Sequence, residues 1–444
     1  MTVPEHRTRV PLVAVLTANS ISTAGTSLTA IGVPWFVLET TGSAGRAGVV
    51  AFCATLPIAL SALVGGPVID RIGRRRVSVG SDLACGLAVA AVPLLYYAGA
   101  LAFWMLCALM AAVGLLHTPG STARYVLVPD IAEHAGTTLA RAASLFDAVS
   151  RGARMAGAAL AGVLIALAGA ENVLLLDAAT FLTSALLVSL GLRRVAAAAP
   201  SRAAAPVSAR AYGTELREGL SYLTGHRLLL AVVVTVLFVN GADQGWNAVL
   251  LPVHASAELG GATDIGLLAA LYGAGGLAGA LLYGAFGHRF SRRAVFTVCL
   301  LLCGAPRYTV AALTGTTTPL AVTMALSGVA GGMLNPILTT VIYTAVPDAL
   351  RSRVSGVLTA GGELAMPVGG LAAGLLVEAA GADGALLAMG GVYLLAALGP
   401  LVFPAWRGMD GPGRAKTEEG DGGGVPPPRG SAARDLPVPG QGPQ

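Results

Sequence analysis

Gly66-Pro67-Val68-Ile69-Asp70-Arg71-Ile72-Gly73-Arg74-Arg75-Arg76 is a short charged run between two long apolar stretches, and it returns later in the chain in altered form. The second copy reads Gly284-Ala285-Phe286-Gly287-His288-Arg289-Phe290-Ser291-Arg292-Arg293, with the glycine, the first arginine and the arginine pair in register. Val128-Pro129-Asp130 and Val346-Pro347-Asp348 repeat at the same offset. The chain therefore reads as two related halves.

Working outward from these runs, the flanking stretches are too apolar for a soluble domain. Of 444 residues 55% are hydrophobic and 11% charged, where soluble domains carry roughly a quarter charged residues. About 20 apolar residues cross a bilayer core, and backbone in lipid must bond to itself, so the stretches predict helices. Twelve are expected: six over 10–38, 45–69, 77–97, 100–118, 146–169 and 172–192, and six over 228–252, 264–286, 294–314, 319–345, 355–380 and 384–404. The first is too long for a cleaved leader and predicts a retained helix. Arginine orders them. With the N-terminus inside, the inner segments hold Arg7, Arg9, the Arg71–Arg76 run, Arg124, Arg141, Arg193, Arg194, Arg289, Arg292, Arg293, Arg351 and Arg353, while the outer loops hold only Arg46. That asymmetry predicts cytoplasmic termini. It also accounts for the net charge of +5 without a nucleic-acid partner. Lys416 is the only lysine, as expected of coding bias in a GC-rich bacterium.

The expected organisation is all-α: a six-helix bundle over 1–193, a cytoplasmic linker over 194–227, a second bundle over 228–406 and a disordered Gly/Pro-rich tail over 407–444. The linker opens Ala/Pro/Ser-rich and continues from Glu215 with apolar spacing suited to a helix on the membrane surface. Cys53, Cys85, Cys107, Cys299 and Cys303 all fall in apolar spans, without metal-ligand company, and read as core residues.

The run from Gly66 to Arg76 resembles the loop 2–3 signature of the major facilitator superfamily. Leu175-Leu176-Asp177-Ala178-Ala179-Thr180-Phe181, Glu218-Gly219-Leu220-Ser221-Tyr222, Asn335-Pro336 and Arg351-Ser352-Arg353-Val354 resemble an efflux-type branch that includes siderophore and macrolide exporters. The resemblance implies two pseudo-symmetric six-helix bundles, as parallel repeats in transporters also suggest. It implies a cytoplasmic gate at Gly66, Asp70, Arg71, Gly73, Arg74 and Arg75. Asp70 can pair with a neighbouring arginine or sit at a helix N-terminus; the plainer alternative is a turn with arginines that anchor topology. In the second copy His288 and Ser291 replace the acid and glycine, so any latch there is weaker.

Ionisable groups inside spans are the candidate functional residues. Glu363, in Gly362-Glu363-Leu364-Ala365-Met366-Pro367-Val368-Gly369-Gly370, is a proton or cation site or else a carboxylate paired with an inner arginine. Asn240, Asp243, Gln244 and Asn247 share one helical face beside Trp246. They line a watery cavity or cluster at the outer interface, and Asp243 is the reserve coupling candidate. Asn19 and Ser22 of span one, Arg154 of span five and Asn335 of span ten are further cavity candidates. Span five carries the antiporter motif only loosely, with Ala158 where proline is expected. Span four is expected to lack the arginine of many proton-coupled relatives. Asp82 is expected to pair with the arginine run, and Asp177 and Arg307 to be structural. Gly275 and Gly279 read as helix-packing positions.

No phosphate-binding loop, metal cluster or nucleophile constellation stands out, so ATP-driven transport and membrane enzymology are not supported. The expectation is a monomeric secondary transporter in a bacterial plasma membrane, without cofactor, exporting a small molecule by alternating access with protons as coupling ion. Uptake by symport and a non-transporting scaffold are the alternatives.

Overall fold

The computed structural model describes residues 8–193, 209–347 and 350–410. Span one is Val10–Thr41, span two Ala44–Ile72, span three Arg74–Tyr97, span four Phe103–Val126, span five Leu139–Ala168 and span six Ala170–Gly191. A short helix, Val128–His134, follows span four, and a connecting helix, Ala209–Gly225, precedes the second half. Span seven runs as Arg227–Gly245, a π-turn Trp246–Leu250 and Leu251–Ala257. Span eight is Ala262–Phe286, span nine Arg292–Cys303 plus Ala305–Leu313, and span ten Thr317–Ala345. Spans eleven and twelve form one hydrogen-bonded stretch, Arg351–Val402, that bends at Gly381 with φ 75° and ψ 175°. Among the described residues 11 helical stretches are long and apolar enough to cross a membrane. Divided at Gly381, they give the twelve spans of an all-α membrane fold.

Several boundaries differ from the sequence expectation, three of them at charged residues. Span two runs to Ile72 and span three starts at Arg74, so the signature run is helix on both sides of Gly73. Gly73 alone makes the reversal, at φ 95°, where a side chain is strained. Span four runs to Val126 rather than ending near residue 118. Arg124 is thus a span residue, buried at 1% exposure, and not part of an inner loop. Asp348, residues 194–208 and the tail beyond 410 lie outside the described residues.

Packing repeats between the halves. Arg75, at the start of span three, donates to the Ser189 carbonyl at 2.7 Å, at the end of span six. Arg293, at the start of span nine, donates to the Pro400 carbonyl at 2.9 and 2.6 Å, at the end of span twelve. Both cations meet carbonyls that a helix end leaves without intrahelical donors. Spans eight and ten touch through glycines: a Cβ on Gly275 or Gly279 would run into the backbone of Ala325 or Val329, which bears out the packing reading. All five cysteines are free.

The halves meet at one end. Span two packs on span eleven, span five on span eight, and span one on the π-turn of span seven. The largest buried cluster draws on both halves, with Leu28, Phe36 and Val50 from the first and Trp246, Leu250 and Ile265 from the second. At the end carrying the arginine runs, smaller clusters stay within one half. Val15, Leu127, Ile131, Phe146 and Val188 form one, and Leu223, Leu229, Val346 and Val354 another. We call these the Ser43 end and the arginine end.

Candidate functional site

In the second half, span seven changes winding three residues after Asp243. The π-turn begins at Trp246, and Asn247 Nδ2 donates to the Asp243 carbonyl at 2.8 Å. Span nine is interrupted at Gly304, where any Cβ would enter the Tyr393 ring. The interruption brings Arg307 to Asp243, and the two form an ion pair. The Arg307 side chain is 2% exposed and that of Asp243 28%. The guanidinium carbon lies 5.3 Å from the Trp246 ring, 5.1 Å from Tyr308 and 5.7 Å from Tyr393. Tyr308 Oη donates to the Ala242 carbonyl at 2.8 Å, tying the rings to the same turn. Aromatic faces attract a desolvated cation, so Arg307 has a binding box of its own as well as its carboxylate. Irregular winding of this kind recurs at functional positions.

The polar stripe of span seven divides accordingly. Asn240 and Gln244 are half-buried on the side facing span eleven, where the Gly362 and Gly370 positions face them. Asn247 is exposed. Trp246 has no exposed surface and packs edge-on against Tyr308 at 5.2 Å, so it is a core residue and lines no cavity. Glu363 is half-buried in span eleven, four residues before Pro367. It makes no hydrogen bond or ion pair among the described residues, inner arginines included.

The first half holds a second buried pair. Arg124 Nη1 donates to Asp82 Oδ2 at 2.5 Å and Nη2 to Ser22 Oγ at 3.3 Å. Ser184 Oγ donates to the same Asp82 oxygen at 2.7 Å. Four spans are thereby joined, and the side chains of Arg124 and Asp82 are 1% and 2% exposed. Two expectations are corrected. Span four does carry an arginine, and Asp82 pairs with it rather than with the run at 71–76. The hydropathy break after residue 118 concealed this, because a paired charge can continue a span that a lone one would end. Asn19 is also buried and donates to Ser150 Oγ of span five at 2.7 Å. Asp177 is fully buried and accepts from Thr29 and Thr180. Arg154 and Asn335 are exposed in their spans.

At the signature run, Asp70, Arg71 and Gly73 are exposed, and Asp70 has no partner among the described residues. Gly66 lies within the helix of span two. Arg74 donates to Asp130 of the Val128–His134 helix at 2.6 Å, so the repeated Val-Pro-Asp element supplies the acid that the run engages. Sequence inspection found both motifs but not their contact.

Known proteins fit this architecture. The profile of the Major Facilitator Superfamily matches residues 15–241 and 233–437. The multidrug efflux pump Tap of Mycolicibacterium fortuitum is 33% identical over 412 residues, 90% of this chain and 98% of that protein. The Tap pump of Mycobacterium tuberculosis is 33% identical over 413 residues, 90% and 95%. The staphyloferrin A transporter of Staphylococcus aureus is 28% identical over 158 residues, 35% and 39%. Among solved structures, the nucleoside transporter NupG aligns with a TM-score of 0.68 at 12% identity, covering 88% of this chain and 98% of that one. A bacterial homolog of the human lysosomal transporter Spinster aligns at 0.67 and 15% identity, covering 89% and 96%.

Proposed function

Because the chain belongs to the major facilitator superfamily, we propose that this secondary transporter of the efflux type exports chemically varied small organic molecules, drugs among them, in exchange for protons. The breadth of cargo follows the Tap pumps. The protein sits in a bacterial plasma membrane as a monomer, with both termini and the arginine end in the cytoplasm, as the loop arginines indicate. Residues 1–193 and 228–406 act as two bundles that rock about a central path, joined by the 194–227 linker, with 407–444 as a cytoplasmic tail. The halves share one core toward the Ser43 end and keep separate cores at the arginine end. In that orientation the path is closed outward and open to the cytoplasm.

The observation that carries proton exchange is the isolation of Glu363. It is a half-buried carboxylate with no cation beside it among the described residues, one helical turn before a proline in the span that meets span two across the halves. A lone carboxylate in low dielectric is costly as an anion, so binding a proton or a cationic cargo there changes its energy most. Asp243 is the weaker candidate because Arg307 already neutralises it. Asn19 and Ser22 serve to hold spans one, four and five together. Asn240, Gln244, Asn247, Asn335 and Arg154 remain for contact with cargo, and the Gly66–Arg75 run serves as the inner gate.

The test is transport by purified protein in liposomes under an imposed pH gradient. Glu363→Gln is expected to abolish uphill movement while downhill exchange of the same compound survives. Uphill transport by this variant removes Glu363 from the coupling role. Accumulation in the direction of proton flow, rather than against it, would make the protein a symporter.

A further inference from the structure

At the Ser43 end the halves are bonded through a carboxylate. Glu378, near the C-terminal end of span eleven, accepts from Ser43 Oγ at 2.7 Å and from the Gly45 amide at 3.1 Å. Ser43 is the N-cap of span two, and its Oγ also accepts from the Arg46 amide at 3.1 Å. Span two therefore has two caps, one from its own half and one from the other. The first amides of a helix have no intrahelical acceptor, and its dipole favours a negative charge there.

The backbones below this contact approach closely. A Cβ on Gly48 would stand 2.9 Å from the Gly370 carbonyl and 3.2 Å from Gly374 Cα. A Cβ on Gly374 would stand 2.7 Å from the Ala44 carbonyl. Small residues that let two helices touch in this way can also part without leaving long side chains entangled. Beside the seam lies a cleft of about 470 Å³ lined by Trp35, Glu39, Ser256 and Glu378. Glu39 is engaged within its own half, accepting from Trp35 Nε1 at 2.6 Å. Of the two carboxylates on this cleft, Glu378 alone bonds across the halves.

We infer that Glu378 is a gating residue: it latches the end of span eleven onto the start of span two while the Ser43 end is closed, and lets go when that end opens. It touches no cargo and acts by holding the halves. The inference rests on the alternating access proposed above. It also complements the inner run, whose Asp70 is unengaged while Glu378 is bonded. The two ends would thus be latched in turn, each by an acid on or near an end of span two.

The experiment uses the full chain in nanodiscs, with its five cysteines replaced and spin labels at Ala100→Cys and Thr316→Cys, exposed loop positions of the two halves at this end. Glu378→Ala is expected to raise the ratio of long to short label distances by roughly fivefold, the scale of one charge at a helix terminus. Glu378→Gln, which keeps an acceptor but not the charge, should give a smaller rise, and Glu39→Gln none. Gly48→Val, which blocks the seam itself, should leave only the long distance. Distances in Glu378→Ala that match the parent overturn the latch, as does a shift of equal size in Glu39→Gln. Transport is assayed separately. A parent that moves no compound defeats the proposed function, and the distance result then still stands as a property of the seam.

Discussion

Among the described residues each half sinks one arginine into the bundle beside an aspartate, and the two pairs are built differently. Asp82–Arg124 is enclosed on all sides, joins α-helical spans, accepts a further hydrogen bond from Ser184 and donates one to Ser22. Asp243–Arg307 sits between a π-turn and a broken helix, leaves its carboxylate partly open and surrounds its cation with three aromatic rings. In the first, each charge has the other as its one ionic partner, and only neutral serines besides. In the second, the cation has an independent home. Burial of a charged pair is thus no single kind of evidence: in one pair the ions hold chiefly each other, and in the other the cation keeps aromatic contacts besides its anion.

The difference predicts a ranking. Asp82→Asn leaves Arg124 buried without an anion, a change that typically costs about 3–5 kcal/mol. Thermal unfolding in detergent should show a large drop and poor recovery of folded protein. Asp243→Asn should cost less, about 2 kcal/mol, because cation–π contacts worth roughly 0.5–2 kcal/mol each remain. Equal losses in the two variants would break the comparison. Tyr393→Leu combined with Asp243→Asn sharpens it: removing a ring together with the anion should bring the loss up toward that of Asp82→Asn. Glu363→Gln should leave unfolding nearly unchanged, since no bond is lost, while uphill transport disappears. Smallest is Arg74→Gln. Its pair with Asp130 is 34% and 44% exposed, and exposed pairs contribute about 0–1 kcal/mol. Its effect should appear in transport rate if the run is a gate, and nowhere if it is only a topology anchor.

The fold was legible because it rests on properties that sum along the chain. Apolar length gave the spans, and the Gly66–Arg76 run with its copy gave the family. Single residues whose role depends on another helix were not legible. Arg124 reads as a loop charge until Asp82, 42 positions earlier, is seen beside it. Asp243 reads as a cavity acid until Arg307 occupies it, and Trp246 reads as its neighbour on a wet face until Tyr308 and Arg307 are seen packed against its ring. Those partners come from span nine, about 60 residues further along the chain, and no local period records them. Glu363 was found by type and position alone. What the sequence could not supply was its lack of a partner, which only the packed structure provides.

The arginine ties to Ser189 and Pro400 have a consequence for how this molecule spends its stability. Each works like a hoop around staves, fixing the third member of a half to the last turn of its sixth. In the rocking proposed above, each half moves as a body, so neither hoop would be strained. Bonds inside a half would then contribute equally to both postures and cancel from their difference. What remains to set the balance is the thin strip where the staves of one barrel rub those of the other. Inside a barrel, a change of one residue should alter how much protein is recovered; along the strip, a change of the same size should alter which posture the recovered protein adopts.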